Sequence, residues 1–175
     1  VIHRRQTDAS SELRFKRERQ ILASLNHKNI ASFIGGGEIK QGQPYIILEY
    51  IAGVPITEYC TSKTLTIKQR LTLFQQVLSA VSYAHQNFVV HRDIKPNNVL
   101  VTQEGEVKLL DFGIAKLIQP DPQTPDAELT QQQDRVLTPG NASPEQVLGE
   151  AITTRSDVYG LGSLLMHMLT DQAVF

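Results

Sequence analysis

Residues 90–99, VHRDIKPNNV, place charged and amide side chains between apolar β-branched residues. Within this stretch, Asp93, Lys95 and Asn98 lie on one short loop, so a proton acceptor, a cation and an amide can converge on one point. A carboxylate can accept the proton of an attacking hydroxyl, and a lysine can neutralise charge on a transferring group. Asp93 taken alone could equally be a structural turn residue, but its spacing from the other two residues favours chemistry.

A second carboxylate, Asp111, follows the next apolar run and stands before Phe112 and Gly113. Asp111 and Asn98 thus occupy two neighbouring turns, and their oxygen atoms are the hard ligands that Mg²⁺ prefers. Mg²⁺ keeps water and phosphate oxygens for its remaining positions. A pair of metal ligands, a separate proton acceptor and a lysine are together suited to phosphoryl transfer.

The elements that must position these residues can be read from the hydrophobic pattern. Apolar residues at helical spacing predict helices, and short runs rich in β-branched residues predict strands. The polar stretch after the last strand contains several prolines and predicts a mobile loop. Helix and strands come first and mostly helix follows, which indicates an α+β fold. The predicted helices cover about 10–25, 66–86 and 157–169, the strands about 30–34, 44–50, 99–101 and 107–110, and the loop 119–135.

The clearest element is the helix at residues 66–86. Thr66 and Gln69 have the spacing of a capping box at its start. The three glycines at 35–37, by contrast, are predicted to lie in the connection between the first two strands. Along the long helix, the predicted buried side consists of residues at steps of three and four: Ile67, Leu71, Phe74, Leu78, Val81 and His85.

Composition narrows the class of protein. The 175 residues are 41% hydrophobic and 20% charged with a formal net charge of −1, which is typical of a globular domain or part of one. This charge gives no reason to expect nucleic acid or an anionic membrane as a partner. One cysteine, Cys60, excludes an internal disulfide and fits a reducing compartment such as the cytoplasm. No apolar run reaches the length of a membrane span, so a membrane link is expected only through a segment outside this chain.

Two linked motifs resemble the catalytic and metal-binding loops of eukaryotic-type (Hanks-type) protein kinases. They read HRDxKxxN over residues 91–98 and DFG over residues 111–113. The lysine two places after the aspartate is similar to that of serine/threonine kinases rather than tyrosine kinases. Residues 105–116 and the SPEQV run at 143–147 resemble bacterial members. The resemblance extends over essentially the whole chain.

The resemblance implies a role for each charged or amide residue of the two loops. Asp93 matches the catalytic base and Lys95 the lysine that contacts the transferred phosphate. Asn98 and Asp111 match the ligands of Mg²⁺, for which Mn²⁺ is the alternative. ATP is the implied phosphate donor, and serine or threonine hydroxyls of a protein are the implied acceptors.

The resemblance also implies an ATP site built by more distant residues. Glu49 and Ile51 match the hinge, whose backbone groups bind adenine, and Leu100 would lie beneath the base. Glu18 falls where the family has the glutamate that pairs with the ATP-holding lysine. A solvated charge on a basic helix is the alternative reading of Glu18.

Regulation is implied by a further group of residues. Arg92 matches the arginine that pairs with a phosphorylated activation loop, and Thr124 and Thr130 are candidate phosphorylation sites in that loop. Self-phosphorylation is therefore expected as a second reaction. Thr138 matches the threonine that bonds the catalytic aspartate and lysine.

Packing and pairing expectations follow from the same resemblance. A column of side chains that aligns the two lobes in active kinases would contain His91, Phe112, Leu22 and Phe33. Glu145 matches a glutamate that pairs in the family with an arginine expected after residue 175. Without that arginine, Glu145 is expected to be an unpaired and therefore costly carboxylate.

The implied architecture is a two-lobe protein kinase fold that is cut at both ends. Residues 1–50 would form the remainder of the small lobe, and residues 51–175 the hinge exit and first part of the large lobe. The chain starts without methionine and lacks the glycine-rich lid, the strand lysine and the last helices of the family. The 175 residues alone are therefore expected to show little or no activity.

Two alternatives remain at this stage. A pseudokinase would bind partners or nucleotide without transferring phosphate, and the residues upstream of Val1 would distinguish it. A kinase for small molecules would share the base and the metal ligands. Lys95, the long activation segment and the SPE motif at 143–145 favour a protein substrate over a small molecule.

Overall fold

The computed structural model describes residues 23–38, 44–112 and 142–173. Most of the helix predicted at 10–25 and all of the loop predicted at 119–135 lie outside these ranges. None of the helices within them is long and apolar enough to cross a membrane. In chain order, the described elements are β1 (Phe33–Glu38), β2 (Pro44–Leu48), β3 (Gly53–Pro55), α1 (Ile56–Ser62), α2 (Ile67–Gln86), β4 (Val99–Thr102), β5 (Val107–Leu109), α3 (Pro144–Leu148) and α4 (Thr154–Thr170).

Strands β1 and β2 form an antiparallel pair, and the prediction for the glycines between them was wrong. Residues 35–37 lie inside β1, opposite Ile47, Ile46 and Tyr45 of β2, instead of in the connection. Backbone pairing with the apolar β2 therefore overrides the low strand propensity of glycine. A Cβ atom on Gly37 would lie 2.9 Å from the hydroxyl oxygen of Tyr45, so a larger residue there would displace the ring.

A second sheet carries the loops of interest, with strands in the order β3-β4-β5, all antiparallel. Strands β4 and β5 confirm the strands predicted at 99–101 and 107–110, and they pair around a turn that contains Glu104 and Gly105. Strand β3 was not predicted, because three residues are too short for a period-two pattern. Gly53 is required in it, since a Cβ atom would lie 2.7 Å from the carbonyl oxygen of Val101.

The segment before β1 is attached to β5. Ala31 N–H donates to the carbonyl of Leu109 (3.0 Å), and Leu109 N–H donates to the carbonyl of Asn29 (2.8 Å). The Asn29 side chain adds a bond to the carbonyl of Val107 (2.8 Å). These bonds connect the chain that leads into the two-stranded sheet with the three-stranded sheet.

Helix α2 begins at the predicted capping box, in which Gln69 accepts from Thr66 N–H at 2.9 Å. Its predicted buried side is only partly right. Ile67 is 65% exposed, and Leu71 and Leu78 are each 41% exposed. The side of α2 that packs against α4 and β5 is rotated around the helix axis from the predicted side. Small residues on it permit close approach of the neighbouring elements. Its buried apolar members are Leu73, Phe74, Val77, Ala80, Val81 and Ala84.

Helix α4 begins three residues earlier than predicted, after an N-cap at Thr153 whose side chain accepts from Arg155 N–H (3.2 Å). Leu161, Leu164 and Met168 bury its apolar side in the same core cluster as α2. The short helix α3 was not predicted. The first turn of α4 and the N-terminus of α3 both lie against the loop that precedes β4.

Phe88 connects α2 to that loop in an unusual conformation. Its φ angle is +60° and its side chain is 96% exposed. A left-handed conformation costs an L-residue about 1–2 kcal/mol, and the exposed ring gains no burial to compensate.

Replacing Phe88 by glycine is expected to raise the free energy of unfolding by about 0.5–1 kcal/mol. Glycine adopts positive φ without strain, although its greater freedom in the unfolded chain offsets part of the gain. Urea unfolding of Phe88→Gly and Phe88→Ala would measure this, since alanine removes the ring and keeps the Cβ atom. A glycine variant no more stable than the alanine variant would contradict the strain.

Candidate active site

The loop between α2 and β4 brings together three of the residues singled out in the sequence. Asn98 Nδ2 donates to both the carbonyl oxygen (2.8 Å) and Oδ2 (2.9 Å) of Asp93. Lys95 Nζ lies 2.8 Å from the same Oδ2. The carboxylate of Asp93 is thus oriented by an amide and a cation on its own loop, which a 3₁₀ turn at Pro96–Asn98 closes.

Asp111 follows β5 and reaches the same region. Leu110 N–H donates to the carbonyl of Asn98 (2.8 Å), which ties the residue before Asp111 to the loop. Asp111 has a φ angle of +46° and an exposed side chain. Strand β5 therefore ends beside Asn98, as the sequence spacing led us to expect.

The donor set around these residues fits a magnesium ion. Because Asp93 occupies the amide nitrogen of Asn98, Oδ1 is the atom of that side chain suited to a cation, and Asp111 offers carboxylate oxygens. The described residues hold no group of three or more His, Cys, Asp and Glu side chains placed for a metal. A magnesium site completed by water and phosphate oxygens needs no such group.

Asp157, in the first turn of α4, holds the start of the loop that carries Asp93. It is 1% exposed, and its Oδ2 accepts from His91 N–H (2.8 Å) and from His85 Nε2 (2.7 Å). Its Oδ1 accepts from Arg92 N–H (2.8 Å). The sequence indicated only that Asp157 starts a helix, because an acidic residue in a first turn is an ordinary helix signal.

Arg92 has its backbone fixed on both sides. Its N–H binds Asp157, and its carbonyl accepts from Gln146 Nε2 of α3 (2.7 Å). Its φ angle is +69°, a left-handed value that a residue with a Cβ atom adopts only when surrounding contacts impose it. Gln146 carried no chemical signal in the sequence.

His91 is fully buried and satisfied as a neutral ring. Nε2 is 2.8 Å from the carbonyl of Leu110, to which it donates, and Nδ1 accepts from Asp93 N–H (3.3 Å). The centroids of the His91 and Phe112 rings are 4.7 Å apart. Phe112 and Phe33 both line one apolar cavity, so three members of the predicted column lie in the same region of the fold. Leu22, the fourth member, lies outside the described residues.

Burial lowers the pKa of His91 below its ordinary 6.5, although Asp157, Asp93 and Asp111 all attract a proton to it. The unfolded chain takes up a proton at this histidine below about pH 6.5, and the folded protein resists it. The free energy of unfolding is therefore expected to decrease as the pH falls from about 7.5 to 5.5, with an uptake on unfolding of about one proton from this residue.

Urea unfolding at several pH values would measure this dependence. His91→Phe should lose most of the slope, and His27→Gln serves as the comparison. Burial and Lys28 also lower the pKa of His27, but this residue is far less buried. A slope unchanged in His91→Phe would contradict the neutral buried ring.

Glu49, predicted to contribute to an adenine site, turns its side chain towards β5. Its Oε1 is 2.7 Å from Lys108 Nζ, and the hydrogen bond from Lys108 lowers the pKa of Glu49. Glu49 N–H donates to the carbonyl of Ser32 (2.9 Å), and Ile51 accepts from Gly53 N–H (3.0 Å). Any adenine contact by Glu49 would therefore come from its backbone. Lys108 was missed in the sequence, where it was one residue of a predicted strand.

Leu100 lies in β4, partly buried, with Pro55 and Lys108 as its cross-strand neighbours. Leu48, at the end of β2, lines the apolar cavity that Phe112 and Leu109 also border. Leu48 therefore ends the strand that leads into residues 49–52, and Leu100 lies on β4, which pairs with the strand β3 that follows them.

The expectation that Glu145 has no partner was wrong. Its Oε1 accepts from the hydroxyl of Ser156 (2.6 Å), and this bond lowers the pKa of Glu145. A hydroxyl on α4 within this chain thus gives the Glu145 carboxylate a hydrogen-bond partner. Glu18, Thr124, Thr130 and Thr138 lie outside the described residues.

Comparison with known proteins places this geometry in a family. The family model described as "Protein kinase domain" matches residues 1–175. Serine/threonine-protein kinase PrkC of Bacillus subtilis is 39% identical over 163 residues, which are 93% of this chain and 24% of that protein. Serine/threonine-protein kinase PknB of Mycobacterium tuberculosis is 36% identical over 172 residues, which are 96% of this chain and 27% of that protein.

A solved structure gives the same result for the fold. The crystal structure of the Mycobacterium tuberculosis PknI kinase domain superposes with a TM-score of 0.67 at 29% identity, covering 92% of this chain and 58% of that chain. The chain spans about a quarter of the length of the two curated relatives. These matches confirm the predicted α+β fold and the resemblance to bacterial serine/threonine kinases. The chain belongs to the protein kinase domain family.

Proposed function

We propose that the protein containing this chain is a serine/threonine protein kinase that transfers the γ-phosphate of ATP to serine and threonine hydroxyls of proteins. The observation that carries the proposal is the convergence of Asn98 and Lys95 on the carboxylate of Asp93, at 2.8–2.9 Å. Family membership over the whole chain and the names of the relatives support it.

In the proposed reaction, Asp93 accepts the proton of the attacking hydroxyl as its oxygen bonds to the γ-phosphorus. The bond from the γ-phosphorus to the β–γ bridging oxygen breaks, and ADP leaves. Asn98 keeps the Asp93 carboxylate turned towards the acceptor. Lys95 lies where its ammonium can neutralise charge on the transferring group. Mg²⁺, or Mn²⁺ in its place, would be held by Asn98 and Asp111 and would neutralise charge on the nucleotide phosphates.

The remaining assignments complete the proposed ATP site. Backbone groups of Glu49 and Ile51 bind adenine, Leu100 packs beneath it, and Glu18 pairs with a lysine outside this chain. Residues 1–50 belong to the small lobe and residues 51–175 to the large lobe.

Regulation and location are part of the same proposal. Arg92 pairs with a phosphorylated activation segment, Thr124 and Thr130 are phosphorylated by the kinase itself, and Thr138 bonds the catalytic loop. The domain works in the cytoplasm, where ATP is available. The one cysteine of the chain, Cys60, is free and buried, in keeping with that location.

A phosphotransfer assay tests the proposal. The full-length protein, incubated with γ-labelled ATP, Mg²⁺ and a generic protein substrate, should produce labelled phosphoserine and phosphothreonine. A chelator should abolish the labelling. Nucleotide binding without any transfer would instead identify a pseudokinase, and label found only on small molecules would exclude a protein substrate.

A further inference from the structure

We propose that Gln146 is a positioning residue for the catalytic base, through the carbonyl of Arg92. The inference rests on the proposed kinase function and adds to it a residue that contacts neither nucleotide nor substrate. Gln146 lies in α3, and Asp93 lies in the loop before β4, so the two are far apart in the chain and meet only in the fold.

The side chain of Gln146 makes one bond in each direction. Its Oε1 accepts from Ser143 N–H at the start of α3 (2.9 Å), and its Nε2 donates to the carbonyl of Arg92 (2.7 Å). Since an amide is the side chain that can accept at one atom and donate at the other, glutamine bridges the two backbones. One rigid group therefore links the first turn of α3 to the residue before Asp93.

The bond to Arg92 fixes the peptide plane that carries the base. The carbonyl of Arg92 and the N–H of Asp93 belong to the same planar peptide group. Gln146 holds the carbonyl end of this group, and Nδ1 of His91 accepts from the N–H end (3.3 Å). The orientation of this plane sets the direction in which the Asp93 side chain leaves the backbone.

The plane also needs external support. Arg92 has a φ angle of +69°, which costs a residue with a Cβ atom free energy. Asp157 secures the N–H of Arg92 (2.8 Å), but that bond leaves the ψ rotation of Arg92 and therefore its carbonyl unset. Gln146 supplies the restraint on the carbonyl end of the plane, from the helix that follows the activation segment in the chain, and His91 restrains the N–H end.

The simpler alternative is that Gln146 only caps α3. The same chain provides a matched case in α2, where Gln69 stands three residues after Thr66 and accepts from its N–H (2.9 Å). Both hydrogen bonds described for the Gln69 amide go to Thr66, and none reaches the catalytic loop. Gln69→Leu therefore measures the effect of losing a capping box alone.

Two substitutions at residue 146 separate the two bonds. Gln146→Glu keeps an oxygen that accepts from Ser143 N–H and loses the donor to Arg92, whereas Gln146→Leu loses both. If Gln146 positions the base, both variants of the full-length protein should lower kcat about tenfold or more while the KM for ATP changes less than about twofold. Gln69→Leu should leave both kinetic constants near those of the wild type.

Hydrogen exchange of the amides at residues 91–98 supplies a readout that does not depend on activity. Both Gln146 variants should exchange faster there, and Gln69→Leu should not. A Gln146→Glu protein with wild-type kcat and wild-type exchange would overturn the inference and leave a capping role. If the wild type transfers no phosphate, the kinase proposal fails, and the exchange data alone then support or overturn the role of Gln146.

Discussion

Replacing Asp93 by asparagine is expected to lower kcat of the full-length protein by a factor of about 10²–10⁴ while ATP still binds. The substitution removes the group that accepts the proton of the attacking hydroxyl. An asparagine oxygen can still accept from Asn98 Nδ2, so the loop should keep its shape. The proposed metal ligands Asn98 and Asp111 are unchanged, so the affinity for the nucleotide should also be unchanged.

Three measurements on the variant would test this expectation. Steady-state kinetics gives kcat, fluorescent-nucleotide titration gives the Kd for ATP, and thermal unfolding shows whether the fold is intact. Glu104→Gln is the matched control, because it neutralises an exposed carboxylate in the turn between β4 and β5, away from the loop. An Asp93→Asn protein with the turnover of the wild type would exclude Asp93 as the base.

The parts of the fold that could be predicted are those with local causes. The capping box of α2 depends on Thr66 and Gln69 alone, and the β4–β5 pair depends on a short turn between two apolar runs. Residues 35–37 were misassigned because pairing with β2 decides their conformation, and no local pattern reports it. The buried side of α2 differs from the predicted one because small residues such as Ala80 and Ala84 pack closely against neighbouring elements, which the sequence pattern does not identify.

In the candidate site, too, the residues with local signals could be predicted and those that act over long sequence distances could not. Asp93, Lys95 and Asn98 could be found because their chemistry and their spacing are both local. Asp157 and Gln146 could not, because each acts on backbone groups of Arg92 more than fifty positions away. A backbone amide or carbonyl leaves no mark in a sequence, so a residue whose function is to bind one resembles any other polar helix residue.

The largest loss of stability is expected from substitution of Asp157, which accepts from two backbone donors and one side-chain donor. Asp157→Asn is expected to lower the free energy of unfolding by about 2–5 kcal/mol and to lower kcat as well. Asp157 is 1% exposed and accepts from three donors at 2.7–2.8 Å. An amide in its place sets an N–H group against at least one of these donors, which leaves buried polar groups without partners.

The three donors to Asp157 differ in what their loss should change, and a substitution at His85 separates them. His85 contributes a single side-chain contact, so His85→Phe removes one of the three bonds and should cost less stability than Asp157→Asn. The backbone contacts to His91 and Arg92 hold the loop, so only the Asp157 variant should also increase hydrogen exchange around Asp93. Urea unfolding with a common m-value would rank the two variants. Equal stability of Asp157→Asn and the wild type, with unchanged kcat, would show that the left-handed backbone of Arg92 is held by Gln146 and the neighbouring packing and does not need Asp157.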